Sequence, residues 1–339
     1  MVLYVHATRP AGVPMEWSLS GFNLYHIFTE VTGHYIGGLA LCWFFFFSGF
    51  LFYHNKKRHF GWHWVSGKYI RRVRSILLPY LLWNALAVIA VMVVASLAGW
   101  LGISVSGDPL ESIQKGPLYW FLTGPMDFPL WYLRDLIFLS ILAPLFYYPV
   151  KKWPGICLIV LLAIYVASIF EVKIFPFPSF AFFGAGVWMG VRKNNLVDFC
   201  QYFRRISAIA APILLVATVL SYNSGYDNSV FLVFAPFGMI TLLNIFNWLF
   251  DKVRIRNVLL KLTETVFFVY AAHEIYILGW TKGLFLRLLG DSLWAQFVSF
   301  LFVPLVTLLV CLALFYGMKR VAPEPLSVLC GFRTVHKFE

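Results

Sequence analysis

Charge is what this sequence has least of. Only 12% of its 339 residues are Asp, Glu, Lys or Arg, and the acidic ones number 15. Soluble chains carry about 25% charged and about 45–50% apolar residues. A chain that is 60% hydrophobic and 19% aromatic is therefore not a water-soluble globule. Cysteine is scarce too: Cys42, Cys157, Cys200, Cys311 and Cys330 stand apart with no CxxC pair, which removes the dithiol redox and thiolate-metal motifs and leaves them as packing residues. His54, His59 and His63 lie among Lys56, Lys57, Arg58 and Lys68, whose charge repels a cation, so no metal site is expected. No internal repeat relates the two halves, which disfavours the commonest transporter plan. MVLYV is too short for the apolar core of a cleavable leader, and none is expected.

Long apolar runs are what the chain does have. Ile76 to Ala98 and Gln296 to Gly317 each reach the roughly 20 residues that cross a bilayer as helix. They are continuous rather than alternating, which excludes a membrane barrel. The expected fold class is an all-α, polytopic integral membrane helical bundle. Nine spans are expected, at about 36–53, 76–98, 129–149, 156–170, 178–191, 207–221, 230–249, 264–280 and 296–317. The bases between them alternate. Loop 54–75 holds seven (Lys56, Lys57, Arg58, Lys68, Arg71, Arg72 and Arg74) and loop 99–128 holds only Lys115, and taken over the chain the alternate loops hold 21 against 5. By the positive-inside rule, 54–75 and the C-terminus face the cytoplasm and residues 7–35 lie outside, in a cell (inner) membrane. The net charge of +12 is thus mainly a topology signal. Its dispersal over five segments argues against nucleic-acid binding.

Ionisable groups inside spans cost about 2.5–3.5 kcal/mol each at mid-bilayer, and two doublets accept that cost. Arg134-Asp135 lies in PLWYLRDLIFL and His273-Glu274 in FFVYAAHEIYI. Both fall in the outer half of their spans, where they can meet. Neighbours on a helix point about 100° apart, so each doublet is expected to engage two different partners. Structural neutralisation of neighbouring helices, a proton pathway and an acid/base site all fit such a cluster. On the cytoplasmic side, KYIRRVRSILLPY places Lys68, Arg71, Arg72 and Arg74 at the entrance of a span, with Arg71 and Arg74 on one helix face. Such a pair grips a phosphate, or serves as topology charge and lipid-headgroup contact.

SGFLF (Ser48 to Phe52), RRVRSILLPYLLWN (Arg71 to Asn84), LWYLRDL (Leu130 to Leu136) and VFFVYAAHEIYI (Val266 to Ile277) occur in this order. Together they resemble the membrane-bound acyltransferase-3 family, the O-acyltransferases of bacterial polysaccharides and related glycoconjugates. The resemblance covers essentially the whole chain and implies one transmembrane acyltransferase domain over 1–339 with ten helices. It implies acyl-CoA, most often acetyl-CoA, as cytoplasmic donor substrate, no permanently bound cofactor, and a glycan hydroxyl on the outer side as acceptor. The family's Arg-x-x-Arg motif matches Arg71 and Arg74, which with Lys68 become the candidates for the CoA phosphates. Its first-helix motif, Arg, ten residues, then His, ends in a catalytic histidine, and LYVHA carries that role to His6. His273 joins it as a candidate acid/base group, Arg134 as oxyanion stabiliser, and Asp135 or Glu274 as orienter of a histidine or ligand of sugar hydroxyls.

The Arg-Asp doublet replaces an acidic run common in the family, and the motif's Arg would lie eleven positions before His6, ahead of Met1. The expectation is that Met1 is an internal or truncated start, with about 15 or more upstream residues completing the first helix. A proton-coupled transporter of a solute or lipid-linked sugar is the alternative reading.

Overall fold

The structure, a computed structural model, describes residues 2–7, 21–54, 60–100, 113–170, 177–222 and 224–332. Among these, helices are the only regular elements. The protein is an all-α, multi-pass membrane protein, and each of the nine expected spans falls in helix. Leu24–Tyr53, Trp62–Trp100, Phe128–Lys152, Asp227–Phe250 and Leu293–Val321 are each long and apolar enough to cross a membrane, and Leu196–Tyr202 with Arg204–Leu220, bent by 71°, makes a sixth if the pair is one span. Pro154–Ile169 and Phe177–Arg192 have 16 residues each, about 24 Å of helix, which is short of the hydrocarbon thickness. The remaining one is interrupted: Val266–Ala272, a π turn at His273–Ile277, then Leu278–Leu289. Lys56, Lys57, Arg58 and His59, and Gly107-Asp108-Pro109 of loop 99–128, lie outside the described residues.

The chain divides into two compact bodies. The first comprises Met1–Val65, Leu139–Lys261 and Asp291–Phe300. Its core is a seam between Ile36–Tyr53 and Phe177–Arg192 in which backbone meets backbone. A Cβ on Gly49 would strike the carbonyl of Phe183, and a Cβ on Gly186 or Gly190 would strike those of Phe46 and Phe50. Small residues permit this approach where lipid supplies no hydrophobic drive for helices to associate. It is the structural content of the Ser48-Gly49 pair in SGFLF. At the end of the same helix Tyr53, 1% exposed, donates its hydroxyl to the Ala143 carbonyl at 2.9 Å and stacks with Trp64 and Tyr147.

The second body comprises Ser66–Phe138, Leu262–Gly290 and Leu301–Glu339. Here Leu78–Trp100 is the central helix. Its Trp83 packs edge-on against Phe268, which meets Phe315 in the same way. The Trp83 indole donates to the Leu329 carbonyl at 3.1 Å, fixing Pro323–Leu329 beside it. Across the two bodies, Cys42, Cys200, Cys311 and Cys330 are all buried.

Candidate active site

Three π turns interrupt the described helices, at Glu30–Tyr35, Val73–Leu77 and His273–Ile277, each closed by an i→i+5 backbone bond. Such turns accommodate one residue beyond α-helical pitch and concentrate at functional positions. Two of them hold residues singled out by sequence, Arg74 in one and His273-Glu274 in the other.

The His273 ring is fully buried. Its Nδ1 lies 2.7 Å from the Tyr270 carbonyl and 3.1 Å from that of Val269. A neutral ring assigned with its proton on Nδ1 donates to these oxygens and turns its Nε2 lone pair toward Glu274, whose Oε2 is 4.0 Å away. Glu274 is the open member of the doublet, its side chain 32% exposed. One turn back, the Tyr270 hydroxyl donates to the Pro129 carbonyl and its ring stands edge-on to Tyr132 at 6.2 Å. These contacts link the His273-Glu274 segment to the one carrying Arg134-Asp135, so both doublets belong to one polar region of the second body.

Arg134 and Asp135 depart from the expectation of separate partners. The guanidinium folds back on its neighbour, with Nε and Nη2 donating to Asp135 Oδ1 at 2.9 and 2.8 Å. Its Nη1 donates to the Thr123 carbonyl. The long Arg side chain spans the 100° offset that shorter chains cannot. The pair is thereby neutralised internally and tethers the connector ahead of it.

That connector is held at several points. Asn84, wholly buried, accepts from the Met126 N–H at 2.8 Å and donates to the Tyr80 carbonyl at 2.8 Å. The Tyr80 hydroxyl donates to the Phe121 carbonyl at 2.8 Å. Between these fastenings sits Asp127, 2% exposed, with neither carboxyl oxygen hydrogen-bonded among the described residues. Burial, and next the Glu274 carboxylate, push its carboxyl well above the usual carboxylate range. Sequence reasoning passed over Asp127, because GPMDFPL reads as an ordinary polar turn before a span. A raised native pKa means that stability is lost as pH climbs from the unfolded carboxylate value toward the folded one. Asp127→Asn is therefore expected to raise the thermal midpoint at pH 8 more than at pH 5. Equal midpoint shifts at the two values would contradict the buried carboxyl.

Arg71 and Arg74 are exposed and Lys68 is half-buried. The Arg71 Nε donates to the Gly67 carbonyl at 3.1 Å. Arg74 lies ten residues before Asn84, about 15 Å along the helix. The basic cluster, on Trp62–Arg72 and Val73–Leu77, and Asn84 of the polar region thus share the continuous helical segment Trp62–Trp100.

His6 belongs to the first body. It is half-buried at the end of the short helix Val2–Ala7, which packs against the π turn Glu30–Tyr35. Tyr4 meets Phe300 at 5.4 Å, and Phe300 also touches Phe28, so the short helix and the segment leading into the turn share one aromatic contact. In the turn, His34 Nδ1 stands 2.8 Å from Glu30 Oε2. One turn earlier His26 Nε2 is 3.0 Å from the Tyr222 hydroxyl. Sequence reasoning missed this group as well. Its signal was the spacing His-x3-Glu-x3-His, which puts three polar side chains on one face of a helix.

Residues 1–316 match the model of the acyltransferase domain designated Acyl_transf_3. The chain belongs to this acyltransferase family. The succinoglycan biosynthesis protein ExoH of Rhizobium meliloti (strain 1021) is 25% identical over 297 residues, which cover 85% of this chain and 77% of the relative. No solved structure matches the chain. As an acyltransferase, the protein has to bring an activated acyl group and a nucleophile together. Exposed guanidinium groups lie on the second body, and imidazoles paired with a carboxylate and a phenol on the first.

Proposed function

We propose that this acyltransferase moves an acyl group, acetyl in the first instance, from cytoplasmic acyl-CoA to a hydroxyl of a cell-surface polysaccharide or related glycan. The family match over residues 1–316 carries the reading. The name of the succinoglycan relative supports a polysaccharide acceptor. The alternation of basic loops supports a donor entering from the cytoplasm beside Arg71 and Arg74, with the C-terminus on that side of the inner membrane.

The chemistry asks little of a nucleophilic side chain. A sugar hydroxyl attacks the thioester carbonyl while a neutral imidazole takes its proton. The carbon–oxygen bond forms, the carbon–sulfur bond breaks, and the proton passes to the departing thiolate, giving ester and free CoA. His6 is the base by family resemblance. Exposed guanidinium groups bind the CoA phosphates, because a planar fork matches phosphate oxygens in pairs. Arg134, Asp135 and Glu274 frame the acyl carbonyl and the acceptor, Arg134 as the cationic group for the oxyanion, and the buried His273 sets Glu274 from behind.

The test is transfer of label from labelled acetyl-CoA to succinoglycan oligosaccharides in membrane vesicles. Each charged hydrogen bond contributes about 1.5–3 kcal/mol. Arg71→Ala with Arg74→Ala is therefore expected to raise the Michaelis constant for acetyl-CoA by about tenfold or more and to leave that for the acceptor nearly unchanged. Unaltered donor dependence would reject the assignment. Proton-coupled solute uptake with no CoA consumed would reject the enzyme reading as a whole.

A further inference from the structure

Two of the three π turns contain residues already assigned to donor or acid/base roles. The third, Glu30–Tyr35, contains a dyad that the proposed function leaves unused. Glu30 is 7% exposed, although it is a carboxylate within an apolar span. Its Oε2 meets His34 Nδ1 at 2.8 Å, and the His34 side chain is 38% exposed. The buried acid is therefore a brace and the imidazole the open end. With the Nδ1 proton donated to Glu30, the ring presents Nε2 as a fixed acceptor. Tyr35 and Tyr222 lie within electrostatic reach of Glu30, and Asp227 within reach of both tyrosines. His26 is paired with the Tyr222 hydroxyl at 3.0 Å. Against the same turn packs the short helix that carries His6 in its last turn.

This collection suits a polyhydroxylated ligand. An oriented imidazole nitrogen accepts from one sugar hydroxyl, and the Tyr222 phenol, hydrogen-bonded to His26 one turn before Glu30, keeps an oxygen lone pair for another. A phosphate-bearing donor fits it poorly, because a carboxylate braces the imidazole and Asp227 lies nearby. The turn also sits in the N-terminal half of the Leu24–Tyr53 span, on the side that the basic loops assign to the outside.

We propose that Glu30 and His34 form an acceptor subsite of the acyltransferase, in which His34 Nε2 accepts a hydrogen bond from a hydroxyl of the sugar acceptor and Glu30 positions the ring. The proposal rests on the acyltransferase reading above and adds a specificity-determining residue to it. His34 touches substrate and Glu30 acts through it. No proton is transferred at this subsite, so the acyl-transfer balance given above is unchanged.

The experiment uses the full chain in membrane vesicles, with labelled acetyl-CoA and succinoglycan oligosaccharides as probes. His34→Ala is expected to raise the Michaelis constant for the oligosaccharide about tenfold, the effect of one hydrogen bond of about 1.4 kcal/mol. The constant for acetyl-CoA and the slow hydrolysis of acetyl-CoA by water should stay within twofold. Glu30→Ala should match that defect, and Glu30→Gln, whose amide oxygen still accepts from Nδ1, should recover most of it. His34→Gln, a milder change at the half-open position, serves if the Ala variants do not insert. Oligosaccharide dependence within twofold of wild type in inserted His34 and Glu30 variants overturns the subsite and leaves the acyltransferase reading intact. A wild-type protein that moves no label from acetyl-CoA to the oligosaccharide overturns both together.

Discussion

Gly186→Leu is expected to leave almost no folded protein: detergent extracts should show aggregate in place of a monodisperse peak, and the fraction that survives should melt well below wild type. Gly186 faces the Phe46 carbonyl, and its place in the seam allows no Cβ. A larger side chain elsewhere in a core costs about 1–3 kcal/mol, because neighbouring side chains change rotamer to admit it. Here the obstructing atom is backbone, and only separation of Ile36–Tyr53 from Phe177–Arg192 makes room. That separation breaks the adjoining approaches of Gly49 and Gly190 together. Gly155→Leu is the matched control, since nothing lies within 4 Å of a Cβ built there. If both variants yield the same monodisperse fraction, the close seam is wrong.

The second large effect is expected at His273. His273→Ala should insert and purify, yet its turnover should fall by about 10²-fold, the lower end of the range for a side chain that governs acid/base chemistry. The ring is inaccessible, so a direct contact with a bulky glycan is not the source of the loss. Its work is to hold two carbonyls at the mouth of the π turn and to set Glu274. The defect should therefore appear in kcat, with both Michaelis constants little changed. Asn places an amide where Nδ1 stands and Gln places one nearer Nε2. His273→Asn should thus recover more activity than His273→Gln. Full activity in His273→Ala would reduce the histidine to packing.

The membrane class, the helical segments and the ordered motifs were legible because hydropathy and charge act residue by residue. Where Ile76 to Ala98 must be helix, no tertiary contact is needed to say so. The site was legible only in part. Arg134 and Asp135 were recognisable as costly, but their mutual pairing depends on how far a guanidinium can curl back, which a helical wheel does not represent. Asp127 is buried by bonds that Asn84, Tyr80 and Tyr270 make to the chain on either side of it, none of them close in sequence. Glu30 and His34 were passed over, because a pair four residues apart is usually a solvated face. Its meaning comes from burial of the acid and from the turn that holds it.

Those turns also shape how the sequence can vary. A π turn spreads about one revolution over one residue more than an α turn, so removing one residue from Val73–Leu77 would restore regular pitch, leave Arg71 aligned with the helix that follows, and change only the aim of the side chains inside the turn. The same holds for the Glu30–Tyr35 and His273–Ile277 turns. Each is thus a place where one residue can be lost with local consequences. In the regular helix alongside, the same deletion turns everything beyond it by about 100° and acts as a rotation of the site.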